Sequence, residues 1–208
     1  AQARTRCNEA NDSHYYLVPG VIGTIMTMIG ALLTSLVMAR EYERGTLESL
    51  FVTPVGSGEI LTAKAATNFL LGMVSLAISM VFAAFVFDIP IRGSLLLLLA
   101  VSALFLIVAL GLGLVISTAT KNQFLACQFA IMGTFMPALM LSGFLYDILN
   151  MPPAVRAATY IIPARYYVTL LQTLFLAGDI PSVIITCCIT LGVFTVVMMS
   201  IARQKDHT

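Results

Sequence analysis

The sequence predicts an all-α, polytopic membrane bundle. Five stretches of the 208-residue chain contain no Asp, Glu, Lys or Arg. Each is about 20 residues or longer, the length that a helix needs to cross the hydrocarbon core of a bilayer. Only 10% of the residues are charged, against roughly 25% in ordinary globular domains. Because lipid tolerates only helices and closed barrels, and these stretches are too long for barrel strands, the predicted class is helical.

The charge-free stretches predict five spans joined by polar connections. The predicted spans are 17–39, 65–87, 94–118, 124–146 and 182–202. The segments between and around them are an irregular polar lead-in at 1–16, a charge-dense segment at 40–64, a semi-polar segment at 147–181 and a polar tail at 203–208.

Five spans place the two chain ends on opposite sides of the membrane. Six cationic residues lie on the side of segment 40–64 and five on the other. The first group sits in shorter connections close to the span ends, and cations favour the cytoplasmic side. We therefore expect 40–64 and 203–208 in the cytoplasm, and 1–16 and 147–181 outside it.

The sequence lacks the residues that power transport or catalysis. No predicted span contains Asp, Glu, Lys, Arg or His, whereas ion-coupled carriers place such groups inside their spans. Segment 58–64 lacks the adjacent Gly-Lys-Ser/Thr of a phosphate loop. His14 and His207 lie at opposite ends, and the cysteines follow no metal-ligand spacing. We expect no cofactor, metal or nucleic acid on this chain, and an energy source on another protein.

Segment 40–64 begins with a pattern typical of a surface helix. Leu47, Leu50, Phe51 and Val52 are interleaved with acidic residues and Arg44, which predicts an amphipathic helix along the membrane surface. The pair at 53–54 ends it, because proline disfavours helix in the residue before it. Two interpretations remain open at this point, a solvated connection and a docking surface for a cytoplasmic partner.

Small and polar residues recur at helical spacing in the second span. Asn68, Gly72, Ser75 and Ser79 share one face. Such a stripe lets helices approach closely within a bundle. The alternative is that Asn68, Ser75 and Ser79 line a translocation path.

Segment 147–181 is too apolar for a solvated loop. Its uncharged run at 166–178 is too short to cross a bilayer. Prolines at 152–153 suit the first turn of a helix, Pro163 interrupts it, and a second helix follows until Gly178. The segment is either a passive interfacial anchor, with Tyr166 and Tyr167 at the lipid surface, or a re-entrant hairpin.

Three motifs in order resemble the permeases of ABC type-2 exporters, in the bacterial drug-efflux subgroup. YLVPG at 16–20 is similar to that family's entry into its second span, and REYERGTLE at 40–48 with Thr53-Pro54 resembles its coupling segment. SGF at 142–144, MPP at 151–153 and YIIPARYY at 160–167 resemble its extracytoplasmic hairpin.

The resemblance implies a six-span permease of the bacterial inner membrane. Such a permease would form a dimer with a second copy or a homologue. Two ATPase subunits, which hold ATP and Mg²⁺, would bind to its cytoplasmic face. A periplasmic adaptor is an optional further partner, and lipid surrounds the spans. This chain, which does not begin with Met, would lack the first span and the extracytoplasmic domain after it. The other classes that we keep are an ion-coupled carrier or channel and a non-transporting scaffold, and co-purification of an ATPase would separate them.

The resemblance also assigns site residues. Those expected to couple to the ATPase are Glu41, Glu43, Arg44, Gly45, Thr46, Glu48, Thr53 and Pro54. Those expected to form an outer gate are Phe144, Leu145, Pro163, Tyr166, Tyr167 and Gly178, with Pro163 and Gly178 absorbing the motion.

Overall fold

The computed structural model describes residues 9–45, 57–85, 93–141, 159–178 and 181–206. Within these ranges the structure is helical, with no strand. Five helical stretches are long and apolar enough to cross a membrane. They are Leu17–Glu43, Ala63–Phe85, Leu95–Thr120, Gln123–Met140 and Pro181–Met198. The predicted fold class, a helical bundle with five membrane spans, is therefore confirmed, and each predicted span overlaps one of these stretches.

The first membrane helix is longer at both ends than the sequence indicated. It consists of α1 (Glu9–Met28), a π turn that we call π1 (Ile29–Leu33), and α2 (Thr34–Glu43). The expectation that 1–16 is irregular is wrong for its described part, because the helix already begins at Glu9. Polar residues mark where a helix leaves the apolar layer, and a helix can continue beyond that point into water.

The second and third membrane helices are regular and long. Helix α3 covers Ser57–Phe85, and α4 covers Leu95–Thr120. Lys121 then takes a left-handed conformation with φ of 49°, which ends α4. Asn122 caps the next helix, because its side-chain oxygen accepts a hydrogen bond from the Leu125 N–H at 3.1 Å.

The fourth membrane helix contains a second irregularity. It consists of α5 (Gln123–Ala130), the π turn π2 (Ile131–Phe135) and α6 (Met136–Leu141). In π2 the N–H of Met136 bonds to the carbonyl of Ile131, five residues back. Pro137 follows directly, and its ring would crowd the carbonyl of Gly133 in a regular α-helix. The π turn changes the backbone bonding at the place where the proline disfavours the regular pattern.

The chain ends with a short helix and a long one. Helix α7 covers Pro163–Gln172 and passes into the π turn π3 (Thr173–Ala177). Helix α8 covers Pro181–Asp206, so the predicted tail is a helical extension of the last span as far as Asp206.

Helix α4 is the centre of the bundle. It packs against α8, α2, π1, α3, α5 and α7. In the most apolar 18-residue stretch of the first and third membrane helices, 56% and 50% of the residues are buried, against 17% in the last membrane helix. The first and third helices are therefore the most buried of the five membrane helices.

Candidate functional site

Two acidic side chains at the end of α2 join it to α3 and to the start of α5. Glu41 forms a salt bridge with Lys64 of α3. Glu43 Oε1 accepts a hydrogen bond from the backbone N–H of Gln123 at 3.0 Å, at the first residue of α5. We call these four residues the charged junction. It connects α2 with α3 and with the turn between α4 and α5.

The charged junction fixes positions more than it adds stability. The side chains of Lys64 and Glu41 are 27% and 25% exposed, and pairs that water can reach contribute under about 1 kcal/mol. A carboxylate at a helix N-terminus, as Glu43 is at α5, adds about 0.3–1 kcal/mol. The main effect of the two contacts is to hold the end of α2, α3 and the start of α5 in fixed relative positions.

The chain leaves the charged junction through Gly45. Its φ is +63°, in the left-handed region that glycine enters without steric cost. Arg44, just before it, is exposed. The remaining predicted coupling residues, Thr46, Glu48, Thr53 and Pro54, lie outside the described residues, as does the rest of the predicted amphipathic helix.

The structure shows the surroundings of two of the predicted path residues, Asn68 and Ser79. Asn68 is 5% exposed, and its side-chain nitrogen donates to Thr34 Oγ1 of α2 at 3.4 Å. Ser79 lines a groove of about 280 Å³ between α1 and α3 and donates to the carbonyl of Ser75 at 2.9 Å. The structure thus places Asn68 in a helix contact and Ser79 at a groove about three turns away. Their assignment to a translocation path stays a prediction.

The predicted gate residue Tyr167 is buried inside the bundle, where it contacts two residues of α4. Its ring is fully buried and stacks on Phe105 of α4, with ring centroids 4.1 Å apart and planes at 5°. Its hydroxyl and that of Ser102 are 2.8 Å apart. Burial raises the pKa of Tyr167 well above its usual value, and the Ser102 hydrogen bond opposes that change only in part. The hydroxyl therefore stays neutral and able to donate.

Burial of Tyr167 differs from the interfacial position considered for it from the sequence. Tyr166 is only partly buried, and its hydroxyl donates to the carbonyl of Tyr160 at 3.1 Å. Pro163 is the first residue of α7, and the left-handed φ of 82° at Gly178 follows the end of π3. Phe144 and Leu145 lie outside the described residues. The helix boundaries at Pro163 and Gly178 are as the sequence indicated, while motion at them stays a prediction.

Sequence reasoning missed a small cluster at the start of α7. The guanidinium of Arg165 donates to Thr159 Oγ1 and lies 4.2 Å from the ring centre of Tyr160. These partners are five and six positions away across a turn, and no helical or strand period predicts such a spacing. The charged junction was missed for the same reason, since Glu43 and Gln123 are 80 positions apart.

The described residues contain no group of three or more His, Cys, Asp or Glu side chains that could hold a metal ion. The charges that the structure brings together form ion pairs, helix caps and cation–π contacts. This arrangement can bind a partner or hold helices together.

Comparison with known proteins gives one consistent result. The profile of the ABC-2 type transporter family matches residues 3–176. The chain is 50% identical over 184 residues to the probable multidrug ABC transporter permease YbhS of Escherichia coli K12, covering 88% of this chain and 49% of that protein.

Two further relatives come from the same bacterium. The probable multidrug ABC transporter permease YbhR is 32% identical over 168 residues, which are 79% of this chain and 45% of YbhR. The inner membrane transport permease YhhJ is 29% identical over 180 residues, which are 85% of this chain and 47% of YhhJ. The chain thus spans about half the length of these relatives. With five apolar membrane helices and a family profile that matches most of its length, this chain belongs to the ABC-2 type transporter family, as a multi-pass protein of the inner membrane.

Proposed function

We propose that this chain is the membrane part of a permease subunit in an ATP-driven exporter. It would form the path for a drug-like or amphipathic substrate across the inner membrane. The observation that carries the proposal is the match to YbhS, a probable multidrug ABC transporter permease, at 50% identity over 88% of the chain. The lack of Asp, Glu, Lys, Arg and His in the predicted spans supports an external energy source over coupling to an ion gradient.

The proposal assigns ATP and Mg²⁺ to separate cytoplasmic ATPase subunits. Two permease copies, or one copy and a homologue, would share the path, and a periplasmic adaptor would be an optional partner. The segment that begins at Glu41 would contact the ATPase. This placement follows the resemblance of 40–48 to a coupling segment and the expected cytoplasmic position of 40–64.

The charged junction suggests how a movement of the ATPase would reach the membrane. A displacement of the segment after Gly45 acts on α2 directly. Through the Glu41–Lys64 ion pair it also acts on α3, and through Glu43 on the start of α5. Three of the five membrane helices would therefore respond together. Glu41 and Glu43 act as positioning residues in this scheme, and the exposed Arg44 is free to face the partner.

The test uses the full-length permease purified with its ATPase. Replacing Glu41 and Glu43 with alanine should leave membrane insertion intact and abolish the stimulation of ATP hydrolysis by substrate. The charge-reversed variant Glu41→Lys should also be uncoupled, and adding Lys64→Glu should restore coupling because the ion pair is rebuilt in reverse. Lys121→Ala, at an exposed cation outside the junction, is the matched control. Normal substrate stimulation in the double alanine variant would refute the coupling role.

We also propose that the hairpin around α7 closes the extracytoplasmic exit. Because Tyr167 is stacked on Phe105 and bonded to Ser102, α7 would move together with α4 as one unit. Motion would then be absorbed at Gly178 and at the turn before Pro163. Phe144 and Leu145 would lie at the closed end of the path.

Labelling positions for this proposal follow from burial. Thr159 is fully buried and accepts a hydrogen bond from Arg165, so a label there would disturb the cluster. Ile161, at 73% exposure, is the better site. A membrane-impermeant thiol reagent should label Ile161→Cys and spare Arg44→Cys in intact cells that carry a cysteine-free background.

Spin labels at Ile161→Cys across the dimer should then report a distance change when the ATPase is trapped with ATP. A Thr120→Cys label, on α4 but at the other end of the bundle, serves as the comparison. If the distances at position 161 stay fixed during active transport, the hairpin is a passive interfacial anchor and does not close the exit.

A further inference from the structure

A cavity of about 250 Å³ lies inside this single chain, where the first, third, fourth and fifth membrane helices meet the turn before α7. Its walls include Thr27, Phe105, Thr134, Ile162, Phe194 and Met198. None of the predicted path residues, and no residue of the charged junction, lines it. The predicted gate residue Pro163 does line it, so the cavity adjoins the proposed gate and is separate from the charged junction and the predicted path residues.

The chemistry of the wall selects an apolar occupant. No charged side chain contributes to it, and most of its surface is hydrocarbon. Its two threonine hydroxyls donate within their own helices, Thr27 to the carbonyl of Gly23 at 2.8 Å and Thr134 to the carbonyl of Ala130 at 2.6 Å. A polar ligand would lose its hydration and find neither hydroxyl proton available, which makes its burial costly.

The size of the cavity fits a small hydrocarbon group. Apolar cavities of about 150 Å³ stay dry and take up one benzene molecule. This cavity is larger, so it accommodates one substituted ring or the end of an acyl chain.

The cavity can be reached from outside the bundle. Gly133 and Ile161 line it and are both exposed. Apart from its chain neighbours and the backbone of its own helix, nothing lies within 4 Å of where a side chain at Gly133 would begin. An apolar group could therefore enter past π2 without crossing the packed contact between α4 and α2.

We propose that this cavity is a binding site, within one protomer, for an uncharged hydrocarbon group about the size of a single substituted ring. Two sources share this chemistry, a small aromatic molecule and the acyl chain of a lipid. The proposal does not depend on transport, and binding alone can test it.

The test uses the full-length protein in detergent and a toluene-sized aryl diazirine as the photoreactive probe. Labelling is quantified by mass spectrometry at 161–164 and 194–198, relative to the exposed positions of α3. Gly133→Leu should fill the cavity from its rim and lower labelling at these sites by about tenfold, because the probe would lose the burial of most of its ring. Gly192→Leu is the matched control, since a side chain there also meets open space and lies outside the cavity.

Phe194→Ala provides a second, independent variant in case Gly133→Leu does not fold. It enlarges the cavity and should increase labelling by a naphthalene-sized diazirine that the original protein admits poorly. Competition then separates the two sources. Suppression by excess toluene alone identifies a site for small molecules, and suppression by phospholipid identifies an acyl-chain site. Equal labelling of the Gly133→Leu and Gly192→Leu proteins, or labelling that neither competitor reduces, would overturn the proposal.

Discussion

The first membrane helix makes two contacts that each include a π turn. One of these contacts is tightly packed and the other is open. Where π1 and α2 meet α4, a Cβ at Gly30 would lie 2.5 Å from Ala109 Cβ, and one at Gly113 would lie 2.7 Å from the carbonyl oxygen of Ala31. Where α1 meets π2, no atom of another helix lies within 4 Å of the position that a Cβ at Gly133 would take. A π turn therefore does not itself loosen a bundle, and the side chains opposite it decide the packing.

The difference between these contacts suggests different tasks. Helices in lipid associate largely through close van der Waals packing. We therefore expect the tight contact of α4 with π1 and α2 to carry stability, and the open contact at π2 to tolerate substitution and rearrangement.

The largest expected effect is disruption of the tight contact. Gly113→Val places a branched side chain against the backbone of Ala31 and the Cβ of Thr34, which cannot move aside without shifting a helix. We expect a loss of about 2–3 kcal/mol, typical of overpacking, measured as reduced thermal stability in detergent. Gly192→Val has the same intrinsic helix propensity and meets open space, so it should cost much less. Equal losses in the two variants would show that the contact is not the stabilising one.

A smaller effect is expected where α7 is joined to α4. Tyr167→Phe keeps the stacked ring and leaves the buried Ser102 hydroxyl without this partner. The expected cost is about 1–2 kcal/mol. Adding Ser102→Ala should recover part of that loss, since neither partner then remains to be satisfied, and a double-mutant cycle in detergent measures the coupling. A coupling energy of zero would mean that the two hydroxyls do not interact.

The smallest effect is expected from adding one methyl group to a glycine in each of the two π turns. Gly133→Ala adds a methyl group in open space and should raise stability by about 0.5–1 kcal/mol through the entropy of the unfolded chain. Gly30→Ala should lower stability, because its methyl group would overlap Ala109. Opposite signs of the change in melting temperature are expected, and equal signs would remove the contrast between the two contacts.

The positions of the spans could be predicted because charge and apolar length are local properties. The predicted spans 94–118 and 124–146 begin within one residue of the observed stretches Leu95–Thr120 and Gln123–Met140. Helix ends were less predictable. Both α2 and α8 continue past the first charged residues, to Glu43 and Asp206, because charge marks where the apolar layer ends and a helix can extend into water.

The candidate sites show the same difference between features that depend on neighbouring residues and features that depend on distant ones. Composition and motif order by themselves determined a helical membrane protein, the family, and the boundaries of α7 at Pro163 and Gly178, since each depends on neighbouring residues. Only the tertiary structure decided that Glu43 caps a helix 80 positions away, that Tyr167 is buried on Phe105, and that one glycine is enclosed while another faces a cavity. Residues distant in sequence meet only when helices pack. The geometry of that packing depends on side-chain shapes across several helices at once, which no local pattern records.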